Sequence, residues 1–247
     1  VWVDALPGAA LNAPGYFFGF FSRLALTSPI TFSRLASVDA IGGKPMSNEW
    51  IMIGTAPSVE RTLERVKRIA PDATTITTNG GIRVELFPTF YVLIDQVACN
   101  YYRKDAWNCS GHLVTLKRDP DALKRRGVDW FDEFVEIPRE KSKPHRGGYG
   151  SFRFSGPFCL EYACNHGART IHLVGFDGYR FQGDYVHADN PGRVGPKDPK
   201  TEGLLRTKDI LEPACNDIAR AWDNVQFVQY GEPVFEVDAD NWRVERC

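Results

Sequence analysis

No apolar run in this chain is built to cross a membrane. The nearest candidate, Gly15-Tyr16-Phe17-Phe18-Gly19-Phe20-Phe21, is too short and is followed by Ser22 and Arg23. A secretory leader is also not expected, because the first charge is Asp4 and no basic stretch precedes the apolar one. Net charge is −1, so no global field draws the chain to nucleic acid. The six cysteines, Cys99, Cys109, Cys159, Cys164, Cys215 and Cys247, show no metal-binding spacing. Cys159 and Cys164 fall on one predicted helix, poorly placed for a disulfide. The expectation is free thiols in a reducing, cytoplasmic setting, free or peripheral to a membrane. Asn108-Cys109-Ser110 fits a glycosylation pattern too short to carry weight. There is no internal repeat, no Gly-x-Gly-x-x-Gly and no phosphate-loop lysine.

What is present is a globular composition: 247 residues, 43% hydrophobic and 25% charged, enough for one sizeable core and a small lid. Residues 1–45 differ from the rest, being rich in Ala, Gly, Pro, Phe and Ser and poor in charge. They read either as an extension before a domain starting at Met46 or as an arm whose phenylalanines cover the core. From residue 50, strand and helix patterns alternate. Strands are expected at 50–53, 74–78, 90–94, 112–116, 133–137, 170–174 and 225–229, and helices at 59–70, 157–166 and 203–222. Val59, Leu63, Val66 and Ile69 mark the apolar face of the first helix, and Pro71 stops it. Such alternation predicts an α/β, Rossmann-like, mostly parallel sheet with helices on both faces. The basic, glycine-bearing stretch 138–153 reads as a mobile loop, and 187–202 as a lid. Lys117–Arg126 and Arg139–Arg146 are basic on balance, either simply solvated or of use to an anionic substrate.

Three constellations could carry chemistry. Gly54-Thr55-Ala56-Pro57-Ser58 joins the first strand to the first helix. Small residues there let backbone N–H groups approach a phosphate or sugar, and the helix start adds partial positive charge. Ser58 serves equally well as a plain helix cap. Asn79 and Asp95-Gln96 each stand just past a strand, where amide and carboxylate groups suit a base or ribose, or an ordinary turn. Tyr179 and Tyr185 offer two phenolic hydroxyls that can donate to a departing phosphate without a metal, or else pack. Asp238-Ala239-Asp240 has the form of a metal-binding Asp-x-Asp, but its place near the end of the sequence favours a surface turn.

Taken in order, these features resemble the bacterial sialyltransferases that use CMP-sialic acid, together with the related hydroxymethylpterin diphosphokinase-like proteins. Over roughly residues 50–230, the family's Gly-Asn-Gly-Pro-Ser corresponds to Gly54–Ser58. Its strand-end asparagines correspond to Asn79 and Asp95, and its Ser-Gly helix start to Ser155-Gly156. Its Gly-x-Asp-x-Tyr with a second Tyr six residues on corresponds to Gly175, Asp177, Tyr179 and Tyr185. The resemblance implies an inverting, metal-independent glycosyltransferase, with a nucleotide-sugar donor and a glycan acceptor as partners and no cofactor. Thr55, Asn79, Asp95, Ser155 and Gly156 would surround a CMP-linked donor, and Tyr179 and Tyr185 would stabilise the leaving phosphate. The family's catalytic His precedes the last helix, where this chain has Leu205-Arg206-Thr207. His187 is the nearby imidazole, either a substitute general base or an exposed loop residue. Thr55 and Asp95 replace two asparagines, and a carboxylate beside an anionic donor points to a different sugar or base contact. The alternatives are pyrophosphate transfer from ATP to a pterin, with Mg²⁺ on Asp95, Asp177, Asp184 and Asp189, and a nucleotide- or glycan-binding module without catalysis. A homo-oligomer is compatible with any of these.

Overall fold

Trp50, Ile51, Met52 and Ile53 are all buried, although neighbouring side chains on a strand point to opposite faces. A strand apolar on both faces belongs in the middle of a covered sheet. That is where the computed structural model places it. The structure describes residues 46–56, 58–117, 130–138, 142–150, 154–177 and 202–246, with backbone alone at 96, 97 and 202–208.

In chain order the elements are β1 (Glu49–Ile53), α1 (Ser58–Ile69), β2 (Thr74–Thr78), a 3-10 turn (Asn79–Arg83), β3 (Phe90–Val92), α2 (Gln96–Tyr101), α3 (Arg103–Trp107), β4 (His112–Leu116), β5 (Glu133–Val135), α4 (Ser155–Asn165), β6 (Thr170–Val174), α5 (Glu202–Ala221), β7 (Gln226–Tyr230) and β8 (Trp242–Glu245). The strands form one sheet in the order β5-β4-β3-β2-β1-β6-β7-β8. Every pairing is parallel, with Ile53 opposite both Thr77 and Val174.

The two faces are covered by different parts of the chain. Ile51 and Ile53 pack on Val59, Leu63 and Val66 of α1. On the same face, Tyr91, Leu93 and Leu113 meet Ala98, Cys99, Tyr102 and Ala106 of α2 and α3. Trp50, Met52, Ile76, Phe90 and Val114 point the other way, towards Phe158 and Tyr162 of α4 and Cys215, Ile218 and Trp222 of α5. The fold is therefore a Rossmann-like α/β sheet with helices on both faces.

Several boundaries differ from the sequence expectation. The third and fifth strands end at Val92 and Val135, and Asn79, expected just past a strand, opens a 3-10 turn. α2, α3 and β8 were not anticipated. The stretch expected to be mobile is tied down over its described part. Gly150 N–H donates to Glu161 Oε1 (2.7 Å), and Asn165 both accepts from Gly147 N–H (2.9 Å) and donates to Gly148 O (2.7 Å). Tyr149 stacks on Phe158, and Arg146 reaches the Ala221 carbonyl, Asp223 and Asn224 at the end of α5. The cationic residues here serve the fold, as a strap over α4 and α5. Residues 1–45 and 187–201 lie outside the described residues, and Glu202, the last residue of the expected lid, already begins α5.

Candidate functional site

Strand order reverses between β1 and β6: β2 to β5 run out on one side, and β6 to β8 on the other. At such a switch point the following loops diverge to opposite faces and leave a crevice beyond the carboxyl ends of the strands. The two loops here begin at Gly54 and Gly175.

These glycines touch. Gly54 N–H donates to Val174 O (2.8 Å) and Ala56 N–H to Gly175 O (3.0 Å). A Cβ on Gly54 would collide with the Gly175 carbonyl. Gly175 has φ +65°, and a Cβ on it would stand 2.8 Å from Val59 Cβ. Both positions need the small residue for close backbone approach, and Gly175 needs it for a left-handed turn as well. Thr55 and Ala56 are buried beside them, and Pro57 lies outside the described residues.

Ser58 opens α1. No cap bond from its hydroxyl is seen: Ser58 is 5% exposed, and Oγ has no hydrogen-bond partner among the described residues. Beside it stands Asp177, half-buried, with Gly231 on the other side. A Cβ on Gly231 would strike Asp177 Oδ1 and come within 3.0 Å of Ser58 Cβ. Phe176 links this corner to α4. Its ring lies where a Cβ of Gly156 would be, so Gly156 brings the start of α4, with Ser155, against the β6 exit.

On the other flank, Asn79 has φ +50°, a left-handed conformation that Asn tolerates better than most residues. Its carbonyl accepts from Tyr91 OH (2.9 Å), and its side-chain Oδ1 is buried without a partner among the described residues. Gly81, two residues on, fits between Thr77 Oγ1 and the Ile53 carbonyl, which presses the 3-10 turn against the β1 exit. Asp95 stands past β3, one strand farther out. Its carboxylate accepts from Ala98 N–H (2.8 Å) as the N-cap of α2, so the carboxylate is already engaged. Gln96 is the first residue of α2.

The structure thus gathers Gly54, Thr55, Ala56, Ser58, Ser155, Gly156 and Asp177 around the β1–β6 junction, with Asn79 next and Asp95 outermost. Tyr179, Tyr185 and His187 lie outside the described residues, as do Asp184 and Asp189. Among the described residues no group of three or more His, Cys, Asp or Glu could hold a metal ion. The sequence did not single out Gly81, Gly231 or Gln229. Gly231 follows the last residue of β7, and a glycine just past a strand was the one signal available for it.

Burial raises the Tyr91 pKa beside Asn79, and other perturbed titratable groups lie away from the crevice. At the amino ends of β4 and β5, Glu133 Oε2 accepts from Tyr162 OH (2.6 Å) and stands 3.3 Å from His112 Nε2. The Glu133 contact raises the His112 pKa. Burial pushes Glu133 upwards, but the hydrogen bonds from His112 and Tyr162 outweigh it and hold the carboxyl below its ordinary value. Beneath the strap, Glu161 is fully buried and its carboxyl is pushed up to about 7 by burial. These groups are structural neighbours of α4 and not part of the crevice.

No protein-family model matches the chain, and no curated protein sequence matches it. A solved structure of the MAf glycosyltransferase from Magnetospirillum magneticum AMB-1 is similar, with a TM-score of 0.48 and 18% identity over 81% of this chain and 34% of that one. The chain spans about a third of that protein's length. Among the described residues no helix is long and apolar enough to cross a membrane.

Proposed function

We propose that the chain binds a nucleotide sugar in the β1–β6 crevice and transfers its sugar, of the sialic-acid type, to a glycan hydroxyl. The observation that carries this reading is the pairing of Gly54 and Gly175 beside a buried Ser58 hydroxyl, without a partner among the described residues, at the start of α1. A buried hydroxyl without a partner costs free energy, which a ligand oxygen at that point would recover. The amino end of a twelve-residue helix favours an anionic group there. Asn79 Oδ1, buried and without a partner among the described residues, supports the reading as an acceptor for a ribose or base donor. The ordered motifs Gly54–Ser58, Ser155-Gly156 and Gly175-x-Asp177-x-Tyr179 supply the reaction class through the resemblance already described.

In this reading the acceptor oxygen displaces the nucleotide from the anomeric carbon in one inverting step. Tyr179 and Tyr185 donate to the departing phosphate, and His187 takes the acceptor proton. No metal is required by this scheme. The pterin diphosphokinase alternative needs Mg²⁺ on carboxylates, and of those proposed for it Asp95 is already engaged as a helix cap.

A thermal-shift series with CMP, CDP, UDP, GDP and ATP, each with and without Mg²⁺, tests the reading. Ligand at 100 times its Kd stabilises by about 2.7 kcal/mol. Stabilisation by a cytidine nucleotide, equal with and without Mg²⁺, is the expected result. A response to ATP with Mg²⁺ alone would favour the diphosphokinase, and no response to any nucleotide would remove the nucleotide reading.

A further inference from the structure

Gln229 is a buried polar side chain on the penultimate strand of the sheet. It sits on β7, opposite Leu173 of β6 and Val244 of β8, and is 0% exposed. Burying a primary amide is unfavourable unless both ends are hydrogen-bonded. Both are. Trp242 Nε1–H donates to Gln229 Oε1 (3.1 Å), and Gln229 Nε2 donates to Phe176 O (2.7 Å). An indole N–H can only donate, so Trp242 fixes which end of the amide is the oxygen and leaves the donor facing Phe176.

The accepting carbonyl is the peptide group immediately before Asp177. Asp177 is held from the other side as well, since its own carbonyl accepts from Val234 N–H (2.8 Å). Gly231, at φ +125°, leaves the space that Asp177 Oδ1 occupies next to Ser58. Gln229, Gly231 and Val234, all far past β6 in sequence, therefore converge on Phe176 and Asp177 at the crevice. An apolar residue at 229 would pack in the sheet without this polar cost, so packing alone gives no reason for the amide.

We propose that Gln229 is a positioning residue of the switch-point site, setting through the Phe176 carbonyl where Asp177 stands beside Ser58. Its effect on ligand affinity rests on the nucleotide-binding reading given above. Its effect on the loop does not.

The test compares Gln229→Leu with Val114→Ala, a core truncation on β4 remote from the crevice and chosen as a control for general loss of stability. Two quantities are read in the full chain: the Kd for CMP, and the hydrogen-exchange rate of the Val234 amide, which reports the Asp177 carbonyl. Gln229→Leu is expected to weaken CMP binding and to speed Val234 exchange, each on the order of tenfold, the equivalent of one buried hydrogen bond. Val114→Ala should do neither. Equal effects of the two substitutions, or unchanged Val234 exchange in Gln229→Leu, would overturn the proposal. If the unsubstituted protein binds no nucleotide, the functional reading fails while the exchange comparison still decides the positioning role. Gln229→Met, unbranched and of similar length, replaces Gln229→Leu if the latter does not fold.

Discussion

A single methyl group is enough to separate Gly54 from Gly167. Gly54→Ala must drive apart the β1 and β6 exits, because the new carbon meets backbone and not a movable side-chain tip. A loss of about 2 kcal/mol or more is expected in urea denaturation, in the range of overpacked interiors. Gly167→Ala, at φ +88° with nothing within 4 Å, carries backbone strain alone and should cost about 1 kcal/mol. Protonation gives a second contrast. The folded His112 pKa is raised, so its contribution is fully present below about 6.5 and is lost as pH rises through the folded value. The folded Glu133 pKa is lowered, so its contribution is present above about 4.5 and is lost as pH falls through the folded value. Both operate together between those limits, and the melting-temperature deficit of His112→Gln should be largest near pH 5.5 and shrink towards pH 8. Glu161 behaves in the opposite sense to Glu133. Its carboxyl is raised to about 7, so the fold is favoured below about 4.5 and loses that advantage as pH climbs to about 7. Glu161→Gln stays neutral and should gain on the unsubstituted protein from pH 5 to about pH 7 and level off above it in paired thermal melts. If Tyr185 donates to the departing phosphate as proposed, Tyr185→Phe should lower kcat by about 10 to 1,000-fold with little change in KM, because the lost hydroxyl would act on charge that develops in the transition state. Unchanged turnover at saturating donor would leave Tyr185 as packing.

Elements were legible where a periodic pattern ran long enough to show itself. α1, with four apolar residues at helical spacing and a stopping proline, is read from sequence to within a residue or two. β1, β4 and β6 are largely apolar runs, and β2, Thr-Thr-Ile-Thr-Thr, is marked by its β-branched residues instead. α2 and α3 have six and five residues, too short for a helical period to be distinguished from an irregular turn. β8 reads Trp-Arg-Val-Glu, and only Trp242 is buried. As an edge strand it needs no second apolar face, and so it lacks the signal that marks the others. The strap at 142–150 was misread for a related reason. Gly, Lys and Arg suggest a loop free in solvent, but what holds this loop is backbone hydrogen bonding to Asn165 and Glu161 on another element, invisible to local composition. Asn165→Ala removes the paired bonds to Gly147 and Gly148 together. About 1–3 kcal/mol of stability should be lost, with earlier tryptic cleavage at Arg146 as the direct check.

At the scale of the molecule, the site was legible as a set of strand ends and illegible as a contact. That Gly54, Asn79, Asp95 and Gly175 each follow a strand can be read along the chain. That β6 returns to lie against β1, so that Gly54 and Gly175 touch, depends on strand order, which no local pattern encodes. Gln229 and Gly231 were missed because their partners lie in a loop far back in the sequence. The same return has a consequence for synthesis. Residues 54–169 must be made before the strand that completes the β1 pairing begins, and Gln229 later still. Until then the nascent chain carries β1 with one edge bare and its most apolar surface uncovered, a state prone to wrong pairing. At about 5–20 residues per second this interval lasts several seconds. A ribosome stalled before residue 170 should therefore hold a chain that is protease-sensitive and chaperone-bound, and one released past β7 should not.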